Sequence, residues 1–214
     1  MSLATYLEKH FIDKPKFASL AVISVERLDQ LIEAGAVPTA TYVCDGKSVH
    51  SAAFGATEIA ESIVGEYFRP ECVRWVQIAD RAPLGSEKNM VEGKLIDELR
   101  TSLVAFEHLH HTDAASIEAR IRNYLPSFFD GTFGLCVADP STGNGIAEKE
   151  ILQEKLTAIT GNGSNAAPAG LSKSELLGLI DDYANAAMPF SPADYARSSR
   201  KRLVDDLRPM VTKA

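Results

Sequence analysis

The chain has 214 residues, a net charge of −7, 45% apolar and 24% charged residues, the makeup of an ordinary globular protein. A length like this buries roughly 70% of the unfolded surface, so folding needs no disulfide. The acidic balance argues against nucleic acid or an anionic membrane as default partner, and no apolar run approaches the roughly 20 residues of a bilayer span. The start, Met1 to Glu8, has no basic stretch followed by an apolar one, and Cys44, Cys72 and Cys136 are odd in number and far apart. Both features predict a reducing, cytoplasmic location.

In chain order, Ser24 is placed to cap a helix whose Leu28, Leu31 and Ile32 share one face, with Gly35 just past its end. Thr41 to Cys44 and Lys47 to His50 flank Asp45-Gly46, a pattern that predicts a hairpin. Thr57 is expected to cap a helix carrying Ile59, Ile63, Val64 and Tyr67. Pro70 opens another, with Val73, Val76 and Trp75 inward. From Ser86 to His110, Val91, Leu95, Leu99, Leu103 and Phe106 recur as one buried stripe. Asp113 caps a helix running to Pro126, and Phe128 to Cys136 reads as a buried loop or short strand. Helix resumes from Ile146 to Ile159, with Leu152 and Leu156 inward. Gly161 to Gly170 is glycine-, asparagine- and serine-rich, a flexible connection by composition. Ser172 and Glu175 form a capping box ahead of Leu176, Leu179, Ile180 and Tyr183. Ser191-Pro192-Ala193-Asp194 is expected to open a last helix.

The fold class expected from these signals is mostly α, an α-rich α+β protein. A helix–hairpin unit at 1–55 packs on a multi-helix body at 56–214.

From Phe17 to Gly55 the order of helix, turn at Ser24, second helix, Gly35-Ala36-Val37-Pro38 and hairpin resembles the start of a MerR-type winged helix-turn-helix. A broader resemblance rests on four segments: Leu28 to Val43, Gly131 to Cys136, Lys149-Glu150-Ile151 and Ser198-Ser199-Arg200. They are similar to a bacterial domain-of-unknown-function family whose members sometimes carry a natural-product biosynthesis label. That resemblance implies genomic company and brings no catalytic residues with it.

Four places could carry chemistry. The helix after Ser24 offers Arg27 and Gln30 against Glu26, Asp29 and Glu33, a poor face for phosphates, so nucleic acid is not expected as partner. Glu107 and His110 have the spacing of one half of a di-iron site, but no second such pair occurs. A histidine cluster at a helix end also suits the dipole, and no metal or other cofactor is expected. Residues 191 to 214 carry six basic and three acidic side chains. On a continuous helix Arg197, Arg200 and Lys201 would converge on one anion, with Ser198 alongside. The plainer alternative is a solvated face paired with Asp194, Asp205 and Asp206. Cys136 could be a nucleophile if a base lay near it, although Leu135 and Val137 suggest burial. No phosphate-binding glycine loop or zinc spacing appears.

The function expected is therefore a non-catalytic accessory protein that binds an anionic small molecule or a protein partner and serves a biosynthetic pathway. An enzyme with its site between residues 128–136 and the C-terminal basic helix is one rival. A MerR-like transcriptional regulator is the other. The candidate ligand-binding residues are Cys136, Arg197, Ser198 and Arg200.

Overall fold

The computed structural model describes residues 1–106 and 113–213. Its first part is built on a five-stranded antiparallel sheet. Helix α1 (Leu3–His10) leads to a two-residue strand β1 (Ile12–Asp13), then α2 (Lys14–Ala21) and α3 (Val25–Glu33). Four strands follow: β2 (Tyr42–Asp45), β3 (Ser48–Ser51), β4 (Gly55–Glu58) and β5 (Val64–Phe68), in the order β1-β5-β2-β3-β4. Ser24 caps α3 through the Arg27 N–H, and Gly46 turns the β2–β3 hairpin at a φ of 88°.

This sheet corrects the expectation of a mostly α chain with a single helix–hairpin unit. Residues 55–58 and 64–68 are strands rather than helix. The apolar spacing around Ile59 and Tyr67 fits a helix locally, but Gly65 stands at a φ of 136°, outside the helical region. Its strand satisfies its backbone groups against β2, where Tyr67 faces Tyr42 and Glu66 faces Val43. Tertiary pairing overrides the local period.

One face of the sheet is buried; the other is covered at Phe68, while its Val43 and His50 stay exposed. On one, Phe11 meets Tyr42 edge-on at 5.2 Å, and on the other Phe17 of α2 stacks on Phe68 at 4.7 Å. The Glu61 carboxylate accepts the Leu3 and Ala4 N–H groups at 2.8 and 2.9 Å, fastening the start of α1.

The helical part comprises α4 (Val73–Asp80), α5 (Glu87–Ala105), α6 (Ala114–Phe129), α7 (Thr132–Cys136), α8 (Gly143–Ile159), α9 (Lys173–Ala186) and α10 (Leu207–Lys213). Trp75 of α4 is fully buried and donates to the Pro140 carbonyl at 3.0 Å. Ser172 and Glu175 form the reciprocal capping box of α9. The stretch read as a buried loop or strand is instead helical: α6 runs through Pro126 to Phe129, and α7 follows Gly131.

The last helix is also broken. After a 3₁₀ turn (Tyr195–Arg197), Ser198 is extended (φ −73°, ψ 148°), and its Oγ accepts the Lys201 N–H to start a π-helical turn (Lys201–Asp206). Asp194 does not cap a regular helix. It is buried and accepts from Tyr42 Oη, Ser191 Oγ and Arg197, which ties this segment to the sheet.

Two apolar cores result. One runs from Leu3 to Phe190 and includes the sheet; the second gathers Leu152, Leu156, Leu176, Ile180, Leu203, Leu207 and Val211. Helix α8 contributes to both, Ile146 and Ile151 to the first and Leu152 and Leu156 to the second.

Candidate functional site

Where the two cores meet, α8 buries a charge. Ile146, Lys149, Leu152 and Leu156 recur at helical spacing, and Lys149 is 3% exposed within that stripe. An ammonium in an apolar layer needs a partner. Glu150 supplies one, with Oε1 at 2.7 Å from Lys149 Nζ and a side chain 20% exposed.

Cys136, at the end of α7, lies beside this pair. Gly131 starts the turn into α7 at a φ of 81°, and a Cβ there would come within 2.9 Å of the Thr39 carbonyl. The exit is stapled by backbone bonds: Met188 N–H to Cys136 O at 3.1 Å and Ala138 N–H to Ala186 O at 2.8 Å. Tyr183 of α9 closes the cluster. Its hydroxyl donates to Gln153 Oε1 at 3.1 Å and lies 2.7 Å from Ser199 Oγ, which can donate in return.

Electrostatics follow from burial. Burial pushes the Cys136 thiol up, against the pull of Lys149. Burial also pulls Lys149 down, but the Glu150 carboxylate, joined at high pH by any thiolate or phenolate formed at Cys136 or Tyr183, holds its ammonium above the ordinary lysine range. The cluster therefore holds a protonated lysine against a carboxylate, with a neutral thiol alongside. A neutral buried thiol is poorly prepared for nucleophilic attack.

Glu150 and Gln153 also face outward, into a cleft of about 440 Å³ between α6 and α8. Arg120 and Tyr124 form its other side. The Arg120 guanidinium grips the Glu154 carboxylate with both terminal nitrogens, while its Nε is buried without a hydrogen-bond partner. Burial, with Glu150 nearby, pushes the Tyr124 hydroxyl up to about 12.

The candidate residues named from the sequence separate. Cys136 belongs to the Lys149 cluster. Arg200 lies near it, spending Nη1 on the Ala184 and Ala187 carbonyls at 2.6 and 2.8 Å. Ser198 is buried and donates to the Tyr195 carbonyl at 2.8 Å. Arg197 turns to the sheet instead, donating to Phe54 O and Thr57 Oγ1 at 3.1 and 2.8 Å with its guanidinium 4.7 Å from the Phe54 ring centre. Lys201 pairs with Asp206. The extended Ser198 is why these basic side chains do not share a face.

Arg27 of α3 is held by Asp80 and Glu87 at 3.1 and 3.2 Å. The Glu107–His110 pair lies outside the described residues. Among the described residues no group of three or more His, Cys, Asp or Glu is placed to hold a metal.

The sequence pattern assigns Lys149 and Glu150 no role and places Tyr183 on the inward face of its helix. The legible signal was a lysine inside the Ile146–Leu156 stripe, since lysine is almost never fully buried unless paired. Three of the four segments that carry the broader resemblance meet here, through Cys136, Lys149 and Ser199.

Residues 92–211, just over half of the chain, match the model of DUF6058, a family of unknown function. No curated protein and no solved structure matches the chain. The matched span contains the whole Lys149 cluster and the α6–α8 cleft, and leaves the sheet outside it.

Proposed function

The chain belongs to the DUF6058 family, a family of unknown function, and we propose that it is a non-catalytic accessory protein binding a small polar molecule in the α6–α8 cleft. The observation that carries this is the position of Glu150, between a buried ammonium and the cleft. Lys149 fixes that carboxylate from behind, so one oxygen can face an incoming donor without reorganising. Small-molecule sites are concave and hold a few placed polar groups, which Glu150, Gln153, Tyr124 and Arg120 supply. The outward side of the Glu150 carboxylate, with the Gln153 amide and the Tyr124 hydroxyl, suits a ligand with an amine or several hydroxyls. A ligand carboxylate could compete with Glu154 for Arg120.

Thermal shift and calorimetry with amines, amino acids, polyols and simple anions test this. A bound amine or amino acid should stabilise the fold, by about 2.7 kcal/mol at a hundred times its Kd. Glu150→Gln should remove that gain while the variant stays folded. A panel in which nothing shifts the melting point, or a Glu150→Gln variant that binds as before, refutes the proposal.

A further inference from the structure

The sheet has an open slot outside the family-matched span. The carbonyls of Ile63 and Tyr67 accept from Gly46 and Thr41 at 2.8 and 2.9 Å, so they face β2. Strand alternation then turns the backbone of Val64, Glu66 and Phe68 to the opposite side. On that side β1 meets only Tyr67 and Phe68. It stops there because Asp13 caps α2, whose first turn contains Pro15. Among the described residues no strand runs beside Val64 to Glu66 on this edge.

The space left is a groove of about 480 Å³ between α1, the start of α2 and β5. Leu7, Phe11, Ile12 and Ile63 give it apolar walls. Val64, on the open edge, is 71% exposed. Tyr67 Oη reaches the Val64 carbonyl at 3.5 Å, so the edge offers chiefly its outward N–H groups. Such an edge beside apolar walls suits an added strand: backbone groups for affinity, side pockets for selection. Charge narrows the occupant. Glu8, Asp13, Glu61 and Glu66 surround the groove against Lys14 and Lys16. Lys14 is already shared between Asp29 and Glu66, and Lys16 pairs with Asp13.

We infer that this slot takes an extended segment of a partner protein, alternating apolar and basic side chains, as a sixth strand antiparallel to β5. The inference is independent of the α6–α8 cleft.

The test uses the full chain and a labelled, acetylated peptide of alternating valine and lysine, read by fluorescence polarisation. A valine–glutamate peptide is the control. The basic peptide should bind and slow amide exchange at Val64 and Glu66, and the acidic one should not bind. Val64→Pro removes an outward N–H without touching the β2 ladder, and should weaken binding about tenfold. Glu8→Lys, on the exposed face of α1, should weaken it too and flatten its salt dependence. Equal binding of both peptides, no binding of either, or affinity unaffected by both substitutions overturns the inference. So does self-association of the wild type that Val64→Pro abolishes, which would make the occupant a second copy of this chain.

Discussion

Among the described residues two cations are buried almost completely, and their surroundings differ. Arg69, 4% exposed, follows β5 and spends its fork on architecture. It donates to the carbonyls of Gly134, Val137 and Ala138 at 3.2, 3.1 and 2.9 Å, with Nη1 also 3.0 Å from Met188 Sδ and Nε bonded to Glu71. Those acceptors are chain turns around α7, so one guanidinium fastens the sheet to the helical part. Lys149 meets a side-chain carboxylate instead, and that carboxylate opens on a cleft. A buried cation among backbone carbonyls is joinery. A buried cation behind a cleft carboxylate positions a group that something else can touch.

That distinction predicts unequal costs. Arg69→Met strands several buried carbonyls and should destabilise the fold by about 4 kcal/mol in denaturant titration. Lys149→Met should cost less, about 2 kcal/mol, because Glu150 can take up water from the cleft or a proton. Adding Glu150→Met to it should recover most of that loss. Equal costs for the two single changes would break the comparison.

A pH titration sharpens the same contrast on the sheet side. Burial first, and Asp194 among the charges, raises the Tyr6 and Tyr42 hydroxyls well above the ordinary tyrosine range. A raised folded pKa means that the unfolded chain ionises first. The stability these groups contribute is intact below pH about 10 and is lost as pH rises above it. Lys149 acts in the same direction, from the slightly higher ordinary lysine value. Tyr42→Phe should cost about 1 kcal/mol at neutral pH through the lost bond to Asp194, and should make the alkaline fall in melting temperature shallower. An unchanged alkaline profile would remove Tyr42 from that account.

The smallest effect touches neither junction. Val22 ends α2 at a φ of 64° and is 86% exposed. Val22→Gly should relieve left-handed strain of about 1 kcal/mol, partly offset by the entropy of the freer unfolded chain. A small rise in melting temperature is expected, and a fall would show that the valine packs on something in solution.

Local chemistry was legible at several self-contained places, though not at Thr57, which lies in β4, nor at Ser191–Asp194, which opens no regular helix. The Asp45-Gly46 turn, the Ser24 cap and the Ser172–Glu175 box use residues within a few positions of each other, and each forms as the sequence pattern indicates. Strands β4 and β5 were not legible, because their apolar spacing fits a helix until β2 and β3 supply partners. The site was half legible. Cys136 stood out as a thiol, yet what surrounds it comes from α8, α9 and Ser199, and the sequence spacing between those segments carries no contact information.

The sequence by itself determined the caps at Ser24, Asp113 and Ser172–Glu175, the hairpin turn and the apolar stripes of α4, α5, α8 and α9, since these depend on intrinsic backbone preference and short-range periodicity. It also contained the anomaly of Lys149 in an apolar stripe. Only the tertiary structure decided that residues 55–68 pair as strands, that Ser198 breaks the final helix, and that Arg197 and Arg200 point to different places. The reason is physical. A backbone hydrogen bond between strands, or a charge buried against its partner, is stabilised by groups that the chain brings together only after it has folded.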